Sequence, residues 1–497
     1  MMNKPILLSA ILLASSPILW AFESGSDDSD GALSPVISTQ VAAKADGIYN
    51  FSSINIPAGV TISFEKNAAN TPVTLLVSGD VTVSGTINLN GNDSADVGAA
   101  GNGALGDDGL PGIGGPGGFD GGLGGTVANV LGAAGVGPGG GGEARGNVTG
   151  ANVNQLGRGC GGGGAGFAVN GVIGGSSSPS SQPYWCDSTD DSGFAGQGYG
   201  NTSLLPLLGG SGGGGGSAGF SFGGSGGGGG GGSLLIAASG TVTLNDNSEI
   251  LASGGSSGDS DGSQAGGTGG GGSGGAVRIV ATTISGNGDI VANGGERGLY
   301  QGSASQIHRG GLGAVGRIRL EGETITRTET TTPPFTVSEP QEVFLAGLPS
   351  LRITTVAGQA APLTPTGNAD ITLAATEPNP VVIEFATTGV PLGSTISLTI
   401  TPVSGERIDA PLSSALSGTV ENATASTSVN LPDGPSVLLA EVSYQVTVAM
   451  GHEYSTFAEG EQVASVRLRL DPIKGALTTF ITESGKEFTY PSHQVAS

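Results

Sequence analysis

Leu234-Leu-Ile-Ala-Ala, Val277-Arg-Ile-Val-Ala and Ile318-Arg-Leu-Glu-Gly stand 43 and 41 residues apart, each behind a glycine-rich run, and Ile284 repeats as Ile325. Within each, alternate residues form one apolar set: Leu234, Ile236 and Ala238; Val277, Ile279 and Ala281; Ile318 and Leu320. Arg278 and Arg319 fall on the opposite face. Alternation with period two is the strand signal. A unit this short buries its apolar face only by stacking on its neighbours. The reading is therefore all-β: β-solenoid-like repeats with glycine-rich excursions between the strands.

Most of the 97 glycines lie in those excursions, in runs such as Gly212 to Gly216 and Gly226 to Gly232. From Gly103 to Gly124 glycine takes every third position. A left-handed extended helix with three residues per turn places such glycines on one bare stripe, along which backbones can pack. Two readings stay open: an ordered bundle of polyglycine II helices, or disordered glycine loops, since ordering glycine has the largest entropic cost.

Working outward, Gly47 to Phe64 and Val73 to Leu89 alternate apolar and polar residues around Gly-containing turns and read as further rungs. After Thr330-Thr-Thr-Pro-Pro come strands such as Val381-Val-Ile-Glu-Phe, Thr395-Ile-Ser-Leu-Thr-Ile and Ser436-Val-Leu-Leu-Ala-Glu-Val, spaced as in a β-sandwich. The expected divisions are a signal peptide, 1–21; N-terminal β-strand rungs, 22–100; a glycine-rich repeat region with solenoid strands, 101–326; a linker, 327–340; a β-sandwich, 341–450; and a small β C-terminal unit, 451–497.

Lys4 followed by the apolar stretch Ile6 to Leu19 reads as a secretory signal. The stretch is shorter than the roughly 20 residues of a spanning helix, so no transmembrane span is expected in the mature chain. A net charge of −24 disfavours nucleic acid and anionic membranes as partners. In an exported chain the only two cysteines, Cys160 and Cys186, are expected to form a disulfide, worth about 3–4 kcal/mol on the loop-entropy account.

Catalytic signals are sparse. Gly-Gly-Ser-Gly-Gly recurs around Ser211, Ser225 and Ser273, but glycine composition alone generates it, and the nucleophile elbow needs a strand–helix turn and a histidine base. Arg278, Arg317 and Arg319 are the cations a polysaccharide-active solenoid would use, or else outward strand residues. Calcium suits hard oxygen ligands, and Asp187, Asp190, Asp191, Asp259 and Asp261 are weak candidates for it, in loops without EF-hand spacing. Trp185, beside Tyr184 and Cys186, is either a packed cap of its loop or a ligand contact. No cofactor other than calcium is implied.

The phrases Ile56-Pro-Ala-Gly-Val-Thr, Asn70-Thr-Pro-Val-Thr-Leu-Leu-Val-Ser-Gly-Asp, Gly114-Gly-Pro-Gly-Gly-Phe-Asp, Leu205-Pro-Leu-Leu-Gly-Gly-Ser and Leu431-Pro-Asp-Gly-Pro-Ser resemble those of a group of glycine-rich secreted proteins of Gram-negative bacteria. That group has no established activity, so the resemblance implies secretion or cell-surface placement and no catalytic residues. The glycine triplets also resemble, in architecture alone, the polyglycine bundles of some phage adhesins and of an insect antifreeze protein. The function expected is an exported, non-enzymatic structural or adhesive surface or matrix protein. The alternative is a polysaccharide-binding or polysaccharide-degrading β-helix protein; the partners expected are extracellular polysaccharide or other surface components. A third reading, binding of ice or mineral, needs a flat array of small residues.

Overall fold

The computed structural model describes residues 22–97, 109–126, 130–145, 159–175, 192–219, 223–259, 266–299, 308–341, 343, 348–362, 370–374, 376–402, 407–446, 454, 458, 461–471 and 475–491. It is all-β. None of its described helices is long and apolar enough to cross a membrane.

The N-terminal part carries β1 (Gly31–Leu33), β2 (Thr39–Val41), β3 (Ile48–Ile56), β4 (Thr61–Phe64), β5 (Val73–Val77), β6 (Val81–Val83), β7 (Thr86–Asn88), β8 (Ser233–Leu244), β9 (Glu249–Leu251), β10 (Ala276–Ser285), β11 (Asp289–Val291), β12 (Arg317–Ile325) and β13 (Thr336–Ser338). They form two parallel sheets. One has the order β1-β3-β5-β8-β10-β12-β13, with β6 beside β3 and β8; the other runs β11-β9-β7-β4-β2. Val277 pairs with Leu234 on one side and Ile318 on the other, and Ile284 with Ile325, the register of the sequence repeat.

In the second sheet Ile62, Ile87, Ile250 and Ile290 stack in register. They join Leu75, Ile236, Ile279 and Leu320 of the first sheet in one core. Each such buried side chain contributes about 1.5–3 kcal/mol. The opposite face of the first sheet is covered too: Leu235, Ala276 and Val280 pack under Phe167, Leu204 and Leu207. Burial on both faces is why these strands read as near-continuous apolar runs.

Residues 89–232 separate β7 from β8, yet β5 pairs with β8 directly. The described parts of that insertion, with the excursions before β10 and β12, run extended and bond to one another at three-residue intervals. In segment 210–218 the N–H groups of Gly212, Gly215 and Ala218 donate to Val136, Ala133 and Val130. Those of Gly210, Gly213 and Gly216 donate to Gly231, Gly228 and Ser225, and those of Gly214 and Ser217 to Gly163 and Cys160. Three further segments donate back: Phe119, Gly122 and Gly125; Gly267, Gly270 and Ser273; Gly141 and Ala144. All these bonds measure 2.8–3.1 Å.

One segment therefore has six bonded neighbours. Segments 160–167, 225–232 and 267–275 have the same environment. Around these four inner segments lies a closed, hydrogen-bonded ring of ten outer ones: 89–97, 109–115, 119–126, 130–137, 139–145, 192–199, 169–175, 308–316, 292–299 and 252–259. The arrangement is a hexagonal lattice of extended chains whose buried N–H and C=O groups are paired across segments, as burial requires.

Glycine at all three phases of an inner segment follows from contact distance. A Cβ at Gly212, Gly213 or Gly214 would stand 1.9–2.0 Å from the carbonyl oxygen of Asp120, Gly270 or Gly142. Outer segments face solvent along one phase, and there Leu110, Ile113 and Leu123 are exposed. The described part of the glycine-triplet run forms two extended segments. Gly117, at φ 78°, reverses the chain, and 119–126 returns antiparallel to 109–115.

The C-terminal part comprises β14 (Ser350–Val356), β15 (Gln359–Ala360), β16 (Val381–Thr388), β17 (Ser397–Pro402), β18 (Ile408–Asp409), β19 (Ser417–Thr419), β20 (Asn422–Val429), β21 (Ser436–Gln445), β22 (Val463–Asp471), β23 (Gly475–Thr482) and β24 (Glu487–Pro491). These form two antiparallel sheets, β15-β14-β16-β20-β19 and β18-β17-β21-β22-β23-β24. Both contribute to one core, including Ile383 and Phe385 from the first and Leu398, Val442 and Phe480 from the second.

Two expected boundaries change. The stretch 327–340 is more than a linker, because β13 within it pairs in parallel with β12 and Thr332 bridges to Val291. Strands β22 to β24 join the sheet of β17 and β21, so the last stretch is not a separate unit.

Cys160 is fully buried on an inner segment, and no free cysteine occurs among the described residues. Its expected partner Cys186 lies outside them, so the bond between the two remains an expectation. It predicts no thiol titre in the denatured, unreduced mature protein and two thiols per chain after reduction.

Gly213→Ala sets a methyl against backbone that cannot give way. It is expected to destabilise by at least the roughly 1–3 kcal/mol of an overpacked core. Ile113→Ala, on an outward phase, should shift the denaturation midpoint little. Comparing the two by chemical denaturation tests the lattice directly.

Candidate ligand-binding face

On the flank formed by segments 89–97, 252–259 and 292–299, the outward phase is mostly polar. The backbone N–H groups of that phase have no glycine backbone beyond them, and side chains of the preceding segment take the place of one. Asn90 Oδ1 accepts from Ser253 N–H at 2.7 Å, Asp93 Oδ1 from Ser256 N–H at 2.6 Å, and Asp96 Oδ1 from Asp259 N–H at 2.8 Å. In the next step Ser253 Oγ, Ser256 Oγ and Asp259 Oδ1 accept from the N–H groups of Asn293, Glu296 and Leu299. The result is a side-chain ladder with a three-residue repeat, about 9.3 Å along each segment for an extended three-fold helix.

Where this ladder meets the second sheet, Asn88, Asn90, Gly91, Asn92, Asp93 and Gly254 line an open cleft of about 420 Å³. Asn88 Oδ1 accepts from Asn90 N–H at 2.9 Å, so the carbonyl ends of both Asn88 and Asn90 are committed and their NH2 groups remain for the cleft. Asn92 is exposed, its backbone N–H bonded to Ile113 and its carbonyl to Gly229. A Cβ at Gly91 or Gly254 would strike Gly229 or Gly272. Both glycines are thus lattice positions, and the cleft floor is fixed backbone.

Of the calcium candidates, Asp259 is one rung of the ladder and holds a backbone N–H. Asp187, Asp190, Asp191 and Asp261 lie outside the described residues, as do Tyr184, Trp185 and Cys186. Among the described residues no group of three or more His, Cys, Asp or Glu is placed to hold a metal ion.

The serines of the Gly-Gly-Ser-Gly-Gly matches are fully buried and serve the lattice. Ser225 Oγ donates to Gly258 and accepts from Gly269 N–H. Ser211 Oγ accepts from Gly139 N–H, and Ser273 Oγ from Ser211 N–H. His308 is fully buried, with Nδ1 2.6 Å from the Gly159 carbonyl. None of these serines sits in an exposed strand–helix turn.

The three arginines are structural clamps. Arg278, only 1% exposed, makes two bonds to Glu321, Nε–Oε1 at 2.9 Å and Nη2–Oε2 at 3.0 Å. Arg319 Nε reaches the same Oε1 at 2.6 Å, and Gln341 N–H donates to Oε2. Arg278 Nη1 and Arg319 Nη2 extend to the Val343 carbonyl and Ser338 Oγ. Arg317 lies over the Phe167 ring and donates to the carbonyls of Phe167, Ala168 and Tyr199. Arg278, expected as an outward strand residue, is buried because the chain leaving β13 folds over it.

The ladder was missed in the sequence, although a signal existed. Leu89-Asn-Gly-Asn-Asp, Ala252-Ser-Gly-Gly-Ser and Ala292-Asn-Gly-Gly-Glu each follow a second-sheet strand with polar residues three apart. Only the pairing of β7 with β9 across 160 residues brings the first beside the others.

Burial pushes the Glu321 carboxyl up, but Arg278, Arg319 and the Gln341 N–H outweigh it and hold the carboxyl below its ordinary value. A lowered folded-state value gives stability that is present above the unfolded-state range and is lost as pH falls through the folded value. Glu321→Gln should therefore destabilise the protein at neutral pH, by about 3–5 kcal/mol for a broken buried pair. It should also flatten the acid limb of a stability-against-pH curve. An unchanged acid limb would show that Glu321 is not the titrating group. Comparison of the chain with family models, curated proteins and solved structures finds no match.

Proposed function

We propose that this chain is an exported, non-enzymatic structural or adhesive protein of a Gram-negative cell surface or extracellular matrix. In this reading the two parallel sheets are the rungs of a β-solenoid, the lattice is a bundle of polyglycine II helices, and the two antiparallel sheets form a β-sandwich. The leader 1–21 directs export, and the acidic surface keeps the mature protein dispersed outside the cell.

The observation that carries the reading is the closed ring of outer segments around four six-coordinate inner ones. It uses the glycine backbone internally and leaves the outward side chains of the ring to give the lattice its chemical character, which suits a rigid display scaffold. The buried serines and paired arginines leave little reactive chemistry among the described residues. The polysaccharide reading is second, and the polar cleft at Asn88–Asp93 favours its binding form.

Two measurements test the proposal. In hydrogen exchange on the purified mature protein, amides of 210–218 and 267–275 should exchange orders of magnitude more slowly than exposed backbone. Exchange at unprotected rates would remove the bundle. In the source bacterium, gene deletion should lower attachment to surfaces or matrix cohesion, with wild type but not Gly213→Ala restoring it. Undiminished attachment and cohesion would remove the adhesive role.

A further inference from the structure

We infer that the cleft at Asn88, Asn90, Asn92 and Asp93 is a binding site for a neutral, hydroxyl-rich glycan strand. This deepens the polysaccharide-binding reading given second above, and it commits to a place and a ligand class.

The argument begins with donors and acceptors. Asn88 and Asn90 have their amide oxygens held by backbone N–H groups, so each presents an NH2 group of fixed orientation. Asp93 uses Oδ1 for Ser256 N–H, leaving Oδ2 as an acceptor. Asn92, exposed at the rim, offers both an acceptor and donors. Fixed donors beside a carboxylate oxygen match vicinal hydroxyls, each of which both donates and accepts.

Charge narrows the class. A net charge of −24 and carboxylates at Asp93 and Asp96 beside the cleft repel anionic polymers. Lysine and arginine are absent from the lining.

Shape narrows it further. The cleft is open, which admits a chain passing through as well as a chain end. From the cleft the side-chain ladder continues along Asn90, Asp93 and Asp96, with Ser253 and Ser256 on the adjoining segment. The floor is lattice backbone at Gly91 and Gly254, so binding orders little of the protein, and the entropic cost falls mainly on the glycan. The described lining has no aromatic platform, so selectivity rests on hydrogen bonding and affinity is modest.

The test uses isothermal titration calorimetry of the full mature protein with cellohexaose, chitohexaose and maltohexaose, and with hexagalacturonate as the anionic comparison. At least one neutral hexamer should bind, with hexagalacturonate at least tenfold weaker. Asn92→Ala and Asp93→Asn should each weaken that neutral ligand at least tenfold. Asn92 donates no side chain to the lattice, and Asp93→Asn keeps an oxygen for Ser256 N–H, so both variants should unfold at the wild-type midpoint. Glu296→Gln, on the same flank but outside the cleft, should bind as wild type does.

Absence of binding by all three neutral hexamers overturns the inference. So does binding that both cleft variants leave unchanged, or preferential binding of hexagalacturonate. None of these results touches the scaffold reading if hydrogen exchange still shows a protected lattice.

Discussion

The structure depends on one interaction, the hydrogen bond between extended glycine backbones at three-residue intervals. Individually each such bond contributes only about 0.5–1.5 kcal/mol, and glycine is the residue whose ordering costs most. The lattice offsets that cost by geometry. Successive inner residues donate to and accept from different neighbours at three-residue intervals, so six segments converge on one. At most inner positions no side chain fits between the backbones; a methyl at Gly213 would stand 2.0 Å from a carbonyl oxygen. Composition and architecture thus imply each other. Hydroxyls are admitted where Ser94, Ser225 and Ser257 bridge a carbonyl of one segment and an N–H of another.

A lattice without apolar side chains needs an anchor, and the two parallel sheets supply it. The change from period two to period three occurs at Ser233, Ala276 and Arg317, where β8, β10 and β12 begin in register. The same ordering of chains continues on the glycine side, with Gly228 bonded to Gly270 and Gly271 to Gly311. The stacked isoleucines of the second sheet and the apolar ladder of the first set the register. The glycine segments inherit it. At the other side of the first sheet, Glu321 gathers Arg278, Arg319 and the chain leaving β13, which ties that chain to the first parallel sheet.

The proposed function rests on what this construction leaves outside. Inner segments are mostly glycine, so chemical character resides mainly in the outward phase of the ring. One flank carries Leu110, Ile113, Leu123 and Val136, all exposed. Another carries the amide, hydroxyl and carboxylate ladder and its cleft. In the proposed scaffold reading, this backbone under varied outward side chains serves as a display surface, and the cleft is the place on it where fixed donors and an acceptor converge.

The sequence by itself determined the mutual register of β8, β10 and β12 and their inward residues, because a two-residue alternation and a 41–43 residue repeat are local patterns that one core must satisfy. It also established that glycine occupies every third position, but not whether those segments order. That depended on partners far along the chain: Gly212 bonds Val136 and Gly141, Gly213 bonds Gly228 and Gly122, Gly214 bonds Gly163 and Gly270. Runs of one residue carry no address, so sequence cannot say which glycine meets which. For the same reason the fold-back at Gly117, the burial of Arg278 and the ladder from Asn90 to Asn293 were decided only by tertiary structure. Each is a contact between segments whose separation in the chain has no bearing on their place in the lattice.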